Sequence, residues 1–200
     1  MKNWTGERLE TFVYNRIAIE HLHRYSIATE YCSDKIVLDI ACGEGYGSHL
    51  MSEKASFVYG VDIDNECISQ AKLKYKKQNI EFLVGSTSKI PLEDNSVDIV
   101  VSYETIEHHD EHDEMMTEIK RVLKHGGLFC LAIGTKEFME KLPFTKYRFK
   151  LYDASDAEQL FRSAGFIVTD VKQQKDLTTS HTGEIVDRDI IIMTARRDGK

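Results

Sequence analysis

The stretch Val37-Leu38-Asp39-Ile40-Ala41-Cys42-Gly43-Glu44-Gly45-Tyr46-Gly47 decides how the rest of the chain is read. It passes from an apolar, β-branched run through a glycine-bearing loop into the start of a helix. Glycine lets a backbone approach a ligand closely and adopt positive φ. In an open α/β sheet, ligands bind outside the carboxyl ends of the strands, near a switch point. About 20 residues further on, at the usual distance for a ribose-binding acid, Asp62 closes the next apolar run.

Outward from this stretch, short apolar runs alternate with helical patterns, which signals a parallel sheet covered by helices. The expected strands are 35–41, 57–62, 80–85, 97–102, 128–133, 167–172 and 189–195. Helices are expected over 6–32, 48–54, 65–77, 113–123 and from Ser155 to Ala164. In the fourth of these, Met115, Ile119, Val122 and Leu123 share one face, and Gly126 and Gly127 are expected to end it. Ser155 and Glu158 have the spacing of a capping box. No helical pattern separates the last two strands, so they are expected to form an antiparallel hairpin. Residues 134–152 read as irregular and aromatic-rich.

The composition fits one globular domain. The chain has 200 residues, 42% hydrophobic and 30% charged, with 12 Gly and 2 Pro. A chain of this length buries roughly 70% of its unfolded surface. The net charge of −7 argues against broad binding to a nucleic-acid backbone. The 4 cysteines form no C-x-x-C pair and read as buried thiols of a reducing compartment. The first residues show no apolar run of the signal-peptide kind, and no stretch approaches a membrane span. A cytoplasmic protein is the expectation.

Two cofactor classes share the strand, glycine loop and terminal acid. Dinucleotide folds use G-x-G-x-x-G/A, which sets a pyrophosphate on the helix N-terminus. Here glycines stand at 43, 45 and 47, and position 48 is Ser. Asp39, inside the strand end, is unhelpful beside a pyrophosphate and useful beside a cation. The sign of that charge favours a cationic nucleoside such as S-adenosylmethionine over NAD. A nicotinamide-dependent oxidoreductase and a non-catalytic cofactor-binding module are the alternatives.

At Asp39-x-x-Cys42-Gly43-x-Gly45-x-Gly47, with Asp62 and the terminal hairpin, the sequence resembles class I S-adenosylmethionine-dependent methyltransferases. Lys89-Ile90-Pro91-Leu92 resembles the leucine–proline loop of their small-molecule branch. The resemblance runs from about residue 20 to 196 and implies a Rossmann-like seven-stranded sheet. Its order would be 3-2-1-4-5-7-6, with strand 7 antiparallel and helices on both faces. It also implies roles. Asp39 would orient the methionyl amino group, Gly43 and Gly45 would line the cofactor, Asp62 would bind the ribose, and Ile63 would pack on the adenine. Ser86 and Thr87 stand where the family often has Asp-Ala beside the adenine amino group; a hydroxyl there is a weaker acceptor. Tyr103 would lie against the methionine part.

In the family, the segment after strand four faces the transferring methyl group; here it reads Glu104-Thr105-Ile106-Glu107-His108-His109. His108 is the candidate catalytic base for a hydroxyl acceptor, because a neutral imidazole suits neutral pH. Glu104-x-x-Glu107-His108 also resembles the metal triad of some magnesium-dependent relatives. The simpler account is that acids before a helix meet its dipole, and no metal is assigned. His109 and His112 read as exposed loop residues.

The acceptor is expected to be a small molecule, with neither nucleic acid nor membrane as a partner; a homodimer stays open. Residues 1–33 are expected to form a helical cap and 136–152 a lid over the acceptor, within a single domain spanning 1–200. Glu20-His21-Leu22-His23-Arg24-Tyr25, Pro143-Phe144 and Leu151-Tyr152 resemble text of methyltransferases from glycan-building pathways. That resemblance implies a sugar or sugar-nucleotide hydroxyl. Arg24, Lys141, Lys146, Arg148 and Lys150 would then meet phosphates, or else form a solvated basic face. Tyr25 is a candidate to close over the cofactor.

Overall fold

In the computed structural model, residues 16–108, 110–140, 150–179 and 185–199 are described. The expected helix over 6–15, His109, and Lys141 through Phe149 of the lid lie outside them. The strands are β1 (Ile36–Ile40), β2 (Phe57–Asp62), β3 (Ile80–Val84), β4 (Val97–Tyr103), β5 (Leu123–Gly134), β6 (Phe166–Thr179) and β7 (Ile185–Arg197). They form a seven-stranded sheet in the order β3-β2-β1-β4-β5-β7-β6. β1 and β2, β2 and β3, and β4 and β5 pair parallel, whereas β7 runs antiparallel to β5 and β6. The expected order and the expected antiparallel strand are both found. The helices are α1 (Arg16–Thr29), α2 (Tyr46–Met51), α3 (Asn65–Lys74), α4 (His112–Val122), α5 (Lys136–Glu140) and α6 (Ala154–Ser163).

The chain divides into two compact units, Met1–Ser86 and Thr87–Lys200. In the first, α2 and α3 pack on β1, β2 and β3, and α1 packs on α2. Its core includes Cys42, Ile68, Ala71 and Phe82. Asp64 caps α3 by accepting from the amides of Glu66 (2.8 Å) and Cys67 (3.3 Å), which satisfies donors a helix start leaves open. In the second unit, α4 packs on β5, α5 on β7 and α6 on β6. Phe129 stacks on Phe161 with ring centroids 4.9 Å apart, and Phe166 tilts against both at 5.8 Å.

Five details differ from the sequence reading. Lys136–Glu140, inside the stretch read as irregular, form α5. Gly126 and Gly127 do not end α4; they lie inside β5. Between the pairs Val97–Leu123 and Ile99–Leu128, β5 carries extra residues that bulge outward, and Gly126 takes φ +72° there. The capping box of α6 is Asp153 with Asp156, not Ser155 with Glu158. An Asp at the cap competes better than the serine two residues on, whose hydroxyl instead donates to Asp153 at 2.7 Å. The hairpin strands extend well past the expected ends, because antiparallel pairing sustains polar residues that carry no apolar signal. His112 opens α4, half-buried, with Nε2 2.9 Å from the Ile106 carbonyl, rather than standing in an exposed loop.

Candidate functional site

In the first unit, a polar cluster lies beneath the glycine loop. Asp39 is completely buried, as is expected of a residue inside a central parallel strand. Its Oδ1 accepts from the Tyr25 hydroxyl (3.1 Å) and its Oδ2 from the Ser48 hydroxyl (2.6 Å). Burial pushes its carboxyl up to about 7, although both hydroxyls pull the other way. A buried carboxylate held by two donors is a prepared counter-charge for a cation.

The loop above it is shaped by backbone conformation. Ala41, next after β1, has φ +61°, a left-handed conformation that a Cβ makes costly. Such strain is retained where surrounding structure enforces it, and it concentrates at functional sites. Gly43 has φ +53°, and a Cβ added to it would meet nothing within 4 Å. Open space at that point is where a ligand could pass the backbone. The other loop glycines answer to packing. A Cβ on Gly45 would come within 2.6 Å of the Phe82 ring, and one on Gly47 within 2.2 Å of the Tyr25 ring.

Asp62 terminates β2 and is nearly buried. Its Oδ2 accepts from the Gly43 amide at 2.8 Å and its Oδ1 from the Asp64 amide at 2.9 Å. Each carboxylate oxygen keeps further acceptor capacity. Beside it, Ile63 is 72% exposed, and Val84, paired with Asp62 in the parallel register, is 47% exposed. Two apolar side chains left open beside a carboxylate suit the face of a base above the hydroxyls of a ribose. Ser86 and Thr87, both half-buried, follow β3. The donor set, the uncrowded Gly43 and the apolar pair thus fit a nucleoside carrying positive charge.

In the second unit, the segment after β4 is strained as well. Glu104 has φ +52°, and its amide donates to the Ala132 carbonyl at 2.7 Å. Tyr103, at the end of β4, is nearly buried. A 3₁₀ turn, Ile106–His108, follows, with the His108 amide donating to Thr105 at 3.0 Å. His108 is half-buried and Glu107 is buried. Burial pushes the Glu107 carboxyl up to about 7, while His108 and the Gly134 amide oppose the rise. Among the described residues, no three His, Cys, Asp or Glu side chains are grouped to hold a metal, so Glu104, Glu107 and His108 are not gathered as a triad. Tyr152, which forms a parallel bridge with Thr135, is also buried.

Sequence reasoning passed over Ser48 and Tyr152 as site members, and it offered Glu107 only as a metal ligand. No local pattern marks a residue whose importance comes from burial. Arg24 proves fully buried, so it belongs to no solvated basic face. Lys150 is exposed, with its ammonium 4.8 Å from the Tyr152 ring centroid. Tyr25 does not stand open over the loop; it is buried and engaged with Asp39.

Comparison with known proteins agrees with this geometry. Residues 38–131 match the family described as a methyltransferase domain. A probable S-adenosylmethionine-dependent methyltransferase of Mycolicibacterium smegmatis is 29% identical over 192 residues, covering 92% of this chain and 70% of its own. The demethylmenaquinone methyltransferase of Lactococcus lactis is 29% identical over 174 residues, covering 68% of each chain. Among solved structures, the YcgJ protein of Bacillus subtilis superposes with a TM-score of 0.76 at 17% identity, over 89% of this chain and 99% of that one. That last likeness concerns the fold. Matched segment and relatives agree on one activity, that of an S-adenosylmethionine-dependent methyltransferase, and the sheet order is shared with the solved structures of that fold. S-adenosylmethionine is the cofactor of that activity, and the antiparallel β7 sets the sheet apart from the dinucleotide-binding arrangement.

Proposed function

We propose that the chain methylates a hydroxyl oxygen of a small molecule, a sugar or a sugar nucleotide, in the cytoplasm. The observation that carries the cofactor half is the buried Asp39 beneath an uncrowded Gly43. S-adenosylmethionine supplies a methyl group already activated by its positive sulfur. Asp39 orients the methionyl ammonium, and Gly43 and Gly45 line the loop along it. Asp62 accepts from the ribose hydroxyls, and Ile63 covers the adenine. Ser86 and Thr87 meet the adenine amino group, and Tyr103 lies against the methionine part. His108 takes the proton that leaves the acceptor hydroxyl. With a leaving group this good, positioning and exclusion of water supply most of the rate.

The oxygen acceptor is supported by the acid–base residues after β4 and by the resemblance of residues 20–25 to enzymes of glycan-building pathways. Residues 1–33 are read as a cap and 136–152 as a lid within a single domain, with homodimerisation compatible. Titration calorimetry with S-adenosylhomocysteine and with NAD tests the core of this reading. Binding of the former alone supports it, and binding of NAD alone overturns it. Methyl transfer from labelled S-adenosylmethionine to nitrogen compounds, with none to sugars, would overturn the acceptor class.

A further inference from the structure

We propose that Glu107 and Tyr152 form the recognition site for an uncharged hydroxyl of the acceptor, one that excludes carboxylate acceptors. The inference rests on the methyltransferase reading above and names the chemistry of the group that the site admits. Glu107 is 3% exposed and Tyr152 is 1% exposed. Glu107 Oε2 and the Tyr152 hydroxyl are buried with no hydrogen-bond partner among the described residues. Buried polar groups are ordinarily satisfied, and those that are not point to a missing water, ion or ligand.

Both are held by backbone rather than by mobile side chains. Glu107 sits in the 3₁₀ turn behind the strained Glu104. The Tyr152 carbonyl accepts from the Lys136 amide at 2.8 Å. Its ring meets the His112 ring edge-on, with centroids 5.8 Å apart, and His112 Nε2 lies 2.9 Å from the Ile106 carbonyl. Through His112, the Tyr152 ring is thus tied to Ile106, the residue before Glu107.

Their chemistry selects the ligand group. A carboxylate accepts and a phenol donates. A hydroxyl does both at once, donating to Glu107 Oε2 and accepting from Tyr152. Above about pH 7, where Glu107 is ionised, a carboxylate acceptor has no proton to donate to it and brings a like charge against it. An ammonium has no lone pair for Tyr152.

The test uses crystals of the full chain bound to S-adenosylhomocysteine, held above about pH 7 so that Glu107 is ionised, and soaked separately in methyl α-glucopyranoside and in octanoate. A sugar hydroxyl within hydrogen-bond distance of both Glu107 and Tyr152 supports the inference. Water alone between them in the sugar soak, or the octanoate carboxylate there, overturns it. In solution, NMR titration of the same complex with the glucoside reads the two nearly isosteric variants. Glu107→Gln and Tyr152→Phe are each expected to weaken sugar binding at least tenfold, with S-adenosylhomocysteine affinity changed less than twofold. Unchanged sugar binding in both variants overturns the site. Failure of S-adenosylhomocysteine to bind the unaltered protein removes the methyltransferase reading itself, and this inference with it.

Discussion

Tyr25, on α1, donates its hydroxyl to Asp39 at the core of β1 across 3.1 Å, and its ring occupies the space that a side chain on Gly47 would need. One aromatic residue thereby links a helix before the sheet to the acid and to the glycine loop. Its edge-on contact with Tyr46, centroids 5.5 Å apart, and the bond between Tyr46 and His21 (3.0 Å) extend that link along α1.

Removing the hydroxyl isolates the bond from the packing. Tyr25→Phe keeps the ring on Gly47 and deletes the donor to Asp39. It is expected to destabilise the protein by about 1–3 kcal/mol, the range for a bond to an ionisable group and the acceptor it strands. Asp39 should also titrate higher, because the lost donor favours the charged form. Urea denaturation at neutral pH checks the first effect; no change in midpoint would remove the bond from the stability of the fold.

The loop glycines should separate by cause. Gly47→Ala forces a Cβ within 2.2 Å of Tyr25 and is expected to cost about 1–3 kcal/mol by overpacking. Adding Tyr25→Ala should reduce the further penalty of Gly47→Ala, a coupling that a double-mutant cycle measures. Gly43→Ala meets nothing within 4 Å, so its cost is the left-handed backbone alone, about 1–2 kcal/mol. If Gly43→Ala weakens S-adenosylhomocysteine binding well beyond its effect on stability, the space above Gly43 is cofactor space.

The buried acids set the pH dependence. The folded-state values of Asp39 and Glu107 are both raised to about 7, above those of an unfolded chain. Between about pH 4, where free carboxyls titrate, and pH 7 the folded protein therefore holds more protons than the unfolded one. The contribution of each group is fully present below its unfolded value and is lost as pH rises through about 7. Asp39→Asn should flatten that decline in denaturation curves taken across the window. Binding of a cationic cofactor favours the charged Asp39, so S-adenosylmethionine should release a proton near pH 7. Calorimetry in buffers of different ionisation enthalpy measures it, and equal heats in all buffers would exclude the coupling.

His108→Ala is expected to lower turnover about 10²-fold or more if the imidazole takes the acceptor proton, the usual size of general-base assistance. S-adenosylhomocysteine affinity should be unaffected. Turnover kept within threefold would leave positioning as the source of rate.

Arg121 ties down the proline-bearing loop before β4. Its guanidinium donates to the carbonyls of Ile90 (2.9 Å) and Leu92 (2.7 Å) and pairs with Glu118 and Asp94. Glu118 in turn accepts from the Ile90 amide at 2.8 Å. Arg121→Ala should cost about 1–3 kcal/mol, mostly through unsatisfied carbonyls and loop freedom. Arg121→Lys should recover little, since an ammonium lacks the planar fork. Hydrogen exchange over residues 90–94 reads the loop directly; unchanged protection would assign the anchoring elsewhere.

Much of this protein was legible before any coordinate. The alternation of apolar runs with helical periods specified seven strands and their direction, because sheet and helix periods are local properties of the chain. The glycine loop and Asp62 were legible for the same reason, since a fixed spacing along one strand, turn and helix becomes a fixed geometry. Boundaries were less so. The β5 bulge and the long hairpin depend on a partner strand that no window of sequence contains.

By itself, then, the sequence determined the order of elements, the cofactor class and the position of the acid that ends β2. Tertiary structure alone decided that Asp39 is held by Tyr25 and Ser48, that Gly45 and Gly47 serve Phe82 and Tyr25, and that Ala41 and Glu104 carry strain. It alone buried Glu107 with Tyr152. Burial and hydrogen-bond satisfaction are set by residues distant in the chain, and the loss of water that raises a carboxyl or strands a hydroxyl exists only once those distant residues have closed around it.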